Sequence, residues 1–158
     1  MTSARTTLAR WHRDERGQLG GGEVIPLGLL ILVVGSLLVA NAWAVIDAKS
    51  AVTTAAREAA RSYVESTSPA TAAGDAERAA REAIMALGLD PRRLGPMDLE
   101  VPVFERCERV TIRLTYEVPA IPLPWTEGLG DGLDVTASHS EVIDPLRNNV
   151  PGSAGCIG

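Results

Sequence analysis

Aromatic side chains are scarce in this 158-residue chain: Phe104 is the one phenylalanine, beside two tyrosines and three tryptophans. A large aromatic core is thereby excluded, and the abundant alanine points instead to helices packed through small side chains. Histidine is almost missing as well. His12 and His139 stand apart, with no cysteine or second histidine at metal-ligand spacing from either. No serine occupies a G-x-S-x-G context, and neither a phosphate-binding loop nor a dinucleotide fingerprint occurs. Glu127, Asp131 and Asp134 surround a glycine-rich turn but lack the regular alternation of a calcium loop, so they read as a solvated loop. Positive charge is also in deficit, since the formal net charge of −5 gives nucleic acid no electrostatic handle. Together these absences argue against an enzyme, a metal or other cofactor, and a nucleic-acid partner. The length allows one domain, or one small domain plus an anchor.

A further absence is local: from Val24 through Ile46 no residue is charged. As a helix this run reaches roughly 34 Å at about 1.5 Å per residue, which matches a hydrocarbon core of about 30 Å. Pro26 falls in the first turn, where its missing N–H does little harm. Arg5, Arg10, Arg13 and Arg16 precede the run, whereas Asp47 and a single Lys49 follow it. This asymmetry predicts a cytoplasmic N-terminus in a single-pass cell-membrane protein, with everything after residue 46 exported. The expected division is a basic leader (1–23), a transmembrane helix (24–46), an exported α+β domain (47–144) and a flexible C-terminal tail (145–158). Gly28, Gly35 and Ser36 are the small residues through which the membrane helix would pack on sister helices. A different cut stays open. Ala42-Trp43-Ala44 has the small-x-small form that signal peptidase accepts, and cleavage there would release a secreted domain starting at Val45.

Past the apolar run the pattern continues as helix to about residue 66, roughly 65 Å in all at the standard rise. Ala48, Ala51, Val52, Ala55, Ala56, Ala59, Ala60, Tyr63 and Val64 recur at intervals of three and four and form one stripe. Lys49, Arg57, Glu58, Arg61 and Glu65 keep to the other side. Ser66-Thr67-Ser68-Pro69 ends that helix. A second helix is expected from Gly74-Asp75 to Gly88, with Ala76, Ala79, Ala80, Ala83, Ile84 and Leu87 as its apolar positions. The grammar then switches to period two. VTIRLTYEV, residues 110–118, alternates strictly and reads as a half-buried strand. Two more strands are expected over 98–107, at an edge because of Pro102, and over 133–143, where Leu133, Val135 and Ala137 alternate with Asp134, Thr136 and Ser138. Residues 118–132 hold three prolines and three glycines and form an irregular excursion. The expected domain is a small antiparallel sheet packed on helices.

The basic leader ending Arg16-Gly17, then Gln18, small residues, Glu23 and the apolar helix resembles the class III signal of type IV pilin-like proteins. The resemblance implies that a prepilin peptidase, a membrane aspartyl enzyme, cuts after Gly17 on the cytoplasmic side. The helix then stays attached, and the Glu23 carboxylate pairs with an α-ammonium group, its own or a neighbouring subunit's. A charge at the membrane edge is costly unless paired, which gives the pairing a physical reason. The other reading of Glu23 is a carboxylate that snorkels to the interface at a helix N-terminus, where negative charge is favoured. The spacing departs from the family, which places the acid fifth after the cut; here Glu23 is sixth after Gly17.

Taken in order, the leader, the membrane helix, its AAREAAR continuation and the late VTIRLTYEVP strand with a proline-rich loop look like the TadE-like minor pilins of tight-adherence (Flp-type) pilus systems. The similarity covers residues 13–143. It implies a membrane-bound minor pilin or pseudopilin that meets other pilin-like subunits and a pilus assembly platform, and serves adhesion or export. An ordinary single-pass anchored binding module and the secreted domain remain the alternatives. Cys107 and Cys156 both fall on the side expected to be exported. A disulfide between them would tie the tail to the sheet and stabilise the domain by roughly 4 kcal/mol; the other reading is two unrelated free thiols.

Overall fold

A computed structural model describes residues 24–101, 103–121, 132–153 and Cys156. The leader, with Gly17, Gln18 and Glu23, lies outside the described residues, as do Pro102, Glu127 and Asp131. The chain divides into two units between Ala40 and Asn41.

Helix α1, Val24–Glu65, is 42 residues long and belongs to both units. Within the first unit, residues 24–40 bury nothing, as an apolar helix does when no protein surrounds it. In the second unit the nine residues of the stripe, Ala48 to Val64, are buried, and the charged residues between them are exposed. Six of the nine are alanines, so the buried face of the helix is built from small side chains.

Helix α2, Pro69–Ala86, starts at Pro69 and not at Gly74-Asp75. Ser68, in extended conformation, is its N-cap and accepts a hydrogen bond from the Ala70 N–H at 3.2 Å. Pro69 then occupies the first turn, where its fixed φ suits the helix and its absent N–H is not needed. The same Ser-Pro pair that stops α1 thus begins α2. At the far end the Leu89 N–H reaches Ile84 O and the Gly88 N–H reaches Met85 O, a Schellman closure that Gly88 permits at φ +79°. Ala72, Ala76, Ala80 and Ile84 form the buried stripe; Ala79 and Ala83 are half-buried, and Leu87 is exposed at the C-cap.

A short 3-10 turn, Pro91–Arg93, is capped by Asp90 and leads into the sheet. Strands β1 (Asp98–Glu100), β2 (Arg109–Val118) and β3 (Leu133–Val142) form an antiparallel sheet in the order β1-β2-β3. Strand β1 is shorter than the expected 98–107. After it the backbone turns to other partners: the Arg106 N–H donates to Pro151 O and the Cys107 N–H to Ile143 O, each at 2.9 Å. Along β2, Val110, Ile112, Leu114, Tyr116 and Val118 are buried, which is the strict alternation of a one-sided strand. The opposite face is polar, and hydroxyls pair across it at Thr111–Ser140 and Thr115–Thr136. On β3 Val135 and Ala137 are buried, whereas Leu133, paired with the buried Val118 at the strand end, is exposed.

One hydrophobic core gathers residues of the second unit from α1, α2 and the sheet, with Val52, Ile84, Ile112, Leu114, Tyr116 and Ile143 among its fully enclosed members. Tyr63 meets Phe104 edge-on, with ring centroids 5.6 Å apart. The architecture is α+β: a long N-terminal apolar helix, a second helix and a small three-stranded antiparallel sheet. The segment after Asp144 is not a loose tail in its described part. Val150 is buried in the core, and Arg106 donates to Arg147 O at 3.0 Å and to Gly152 O at 3.3 Å.

Candidate anchoring and assembly surface

Residues 24–40 carry the features expected of a membrane-embedded face. Gly28 and Gly35 lie seven residues apart and so fall within about 20° of one another around the helix. Nothing stands within 4 Å of the place a Cβ would take at either. The Ser36 hydroxyl donates to Leu32 O at 2.7 Å, which leaves no unmet donor on an apolar surface. By length and composition α1 is able to cross a bilayer, and its most apolar 18-residue stretch is wholly unburied. One long apolar helix near the N-terminus is compatible with a single-pass membrane anchor. Of the processing residues Gly17, Gln18 and Glu23, none is among the described residues.

The second unit opens on Asn41, a residue that hydropathy passes over as one polar position in an apolar run. Its carboxamide makes a two-way clamp on the stem of the proline-rich loop: Oδ1 accepts from the Ile121 N–H at 2.8 Å, and Nδ2 donates to Ile121 O at 3.3 Å. Two turns later Lys49 Nζ donates to Thr136 O on β3. At the other end Arg147 donates to Glu65 O and, at 2.6 Å, to Ser66 O. A cation on the last carbonyls of a helix completes its C-terminus. From these contacts, α1 beyond Asn41 runs beside β3 in the same direction. No periodicity signals such clamps, because each is a single polar contact between residues about 80 apart in the chain.

Cys107 and Cys156 form a disulfide with Cα atoms 5.3 Å apart. Cys107 holds a left-handed φ of 69°, a region where glycine is the usual occupant. A second polar knot joins the two helices. The buried Ser66 hydroxyl donates to Asp75 Oδ2 at 3.0 Å and lies 3.1 Å from Thr71 Oγ1. The Asp75 carboxylate also receives Arg78 at 2.7 Å, and these donors, Arg78 foremost and then Ser66, hold its pKa below the ordinary carboxylate range. Asp90 is lowered likewise, first by the Arg92 backbone N–H and then by the Arg92 side chain. Burial pushes the Tyr63 hydroxyl up.

His139 is half-buried and pairs in register with Ile112. Among the described residues no three His, Cys, Asp or Glu side chains gather to hold a metal ion. The cleft between the end of α1 and the start of α2 is lined by Arg61, Glu65, Asp75 and Arg78, whose charges neutralise one another in pairs at 2.9 Å and 2.7 Å. Glu58 also lines the cleft, so three carboxylates there face two guanidinium groups. No protein-family model, curated protein or solved structure matches the chain.

Proposed function

We propose that this chain is a TadE-like minor pilin or pseudopilin. In this reading it is a single-pass subunit of the cell membrane, not an enzyme, that supports assembly of a Flp-type pilus or a related secretion machine. The observation that carries the reading is the double use of α1. One unbroken helix offers a bare apolar segment with small residues at Gly28, Gly35 and Ser36, then turns an alanine stripe into the spine of an α+β domain. A helix shared by an apolar segment and a folded domain is the arrangement that a membrane-anchored pilin-like subunit would use. The N-terminus lies in the cytoplasm and the domain outside it, by the arginine excess of the leader. A prepilin peptidase processes the chain after Gly17, and Glu23 then meets the α-ammonium group of a subunit.

The test is mass spectrometry of the N-terminal peptide of the membrane-extracted protein from cells that express a prepilin peptidase. A start at Gln18 or Leu19 supports the assembly role, whereas an intact leader leaves an anchored domain without pilin processing. A start at Val45 overturns both in favour of a secreted domain. Against that last reading, cleavage after Ala44 would discard Asn41 and with it both hydrogen bonds to Ile121.

A further inference from the structure

We propose that the end of the domain nearest the apolar segment is a lipid-docking floor, seated in the headgroup layer of the membrane that α1 crosses. The floor consists of Trp43 and Ile46 on α1, Ile121 at the loop stem and Leu133 at the start of β3. The inference rests on the reading of residues 24–40 as membrane-embedded and deepens it by placing the boundary.

Length decides where that boundary falls. At about 1.5 Å per residue, residues 24–40 reach only about 25 Å, short of a hydrocarbon core of about 30 Å. The chain has no linker in which to make up the difference, because the domain begins at the next residue, Asn41. The uncharged run nevertheless continues through Ile46. Residues 41–46 are therefore both the first turn and a half of the domain and the last part of the apolar run. Lipid has to end beside them, close to Trp43.

The side chains at this end fit that position. Trp43 is 72% exposed and Ile46 60% exposed, although both belong to the folded unit. Ile121 and Leu133 are 46% and 47% exposed and lie at the same end, since Ile121 is clamped to Asn41 and Leu133 pairs with Val118. A tryptophan with an apolar body and one N–H donor is the side chain best suited to the lipid–water boundary. The Asn41 clamp supplies the polar half of the argument. Loop backbone tolerates the membrane edge only where its N–H and C=O groups are met, and Asn41 meets both groups of Ile121 while satisfying its own carboxamide. Charge resumes directly above, at Asp47 and Lys49. Four apolar side chains, one satisfied polar pair and a charged upper rim fit a phospholipid interface.

The experiment uses the full chain with Trp11→Phe and Trp125→Phe, which leaves Trp43 as the single tryptophan, reconstituted in vesicles of phosphatidylcholine and phosphatidylglycerol. Quenching is compared for lipids brominated near the glycerol end of the acyl chain, lipids brominated near its methyl end, and aqueous iodide. The expected result is a greater loss of emission with the shallow bromines than with the deep ones, and weaker iodide quenching than in the same protein unfolded in denaturant. Stronger quenching by the deep bromines overturns the proposal, because it puts Trp43 inside the hydrocarbon. Full iodide quenching without bromolipid quenching also overturns it, as does shielding from iodide that follows protein concentration and not lipid, the sign of a protein partner. Alkaline carbonate extraction separates the two levels: protein released by carbonate refutes the membrane reading itself, while protein that stays in the pellet confines any failure to the floor.

Discussion

Helix α1 is two helices in physical terms, although its backbone does not break. Residues 24–40 are mostly large, apolar and unburied, whereas residues 48–65 are mostly small or charged, and their alanines are enclosed. Side-chain volume goes with the solvent that each half meets. On the proposed membrane reading, lipid tails accept leucine and valine of any shape, so the first half would need only hydrophobicity. A protein core is close-packed, so the second half needs residues that let a sheet and another helix come near. Hydropathy alone sees the first half, and periodicity alone sees the second.

Changes confined to the domain half should carry the largest effects. Replacing Cys107 or Cys156 by serine opens a bridge of sequence separation 49; the expected loss is about 4 kcal/mol, read as a lowered denaturation midpoint that added reductant reproduces in the parent protein. Next comes volume. Ala56→Leu in the fully enclosed stripe should cost about 1–3 kcal/mol by overpacking, while Ala40→Leu in the anchor half should leave the domain melting curve in place. Equal shifts for the two would erase the contrast between the halves.

Asn41→Ala tests the junction. It strips both hydrogen bonds from Ile121, and a loss of about 1 kcal/mol is expected, together with faster amide exchange at Ile121. The smallest effect is one of pH. Asp75 has a folded pKa below its unfolded one, so its contribution to stability is present above the unfolded value and fades as pH falls through the lower folded value. Asp75→Asn should flatten that part of the acid limb of a stability curve; an unchanged acid limb would show that the Ser66–Asp75–Arg78 knot does not couple folding to protons.

Much of this fold was legible because it rests on repetition. The stripe from Ala48 to Val64 and the alternation from Val110 to Val118 each repeat a local rule many times, and burial follows them residue by residue. What escaped were contacts made once. Ser68 and Pro69 read equally well as an end and as a beginning, and only the cap geometry shows that they are both. Leu133 is in phase with the buried Val135 and Ala137, yet its side chain is exposed. Asn41, Arg106 and Arg147 work through backbone carbonyls or amides far away in sequence, and no spacing rule reaches so far. Of the candidate site, Gly28, Gly35 and Ser36 were visible as small residues, while the junction at Asn41 was hidden inside an apolar run.

The cap that Arg147 places on α1 also sets an order of events in time. The guanidinium and the Glu65 carbonyl it meets are 82 residues apart. A ribosome therefore completes the helix long before it makes the residue that closes the helix's end. Until then the Glu65 and Ser66 carbonyls lack that donor. Completion of this helix end should consequently wait for the segment that carries Arg147.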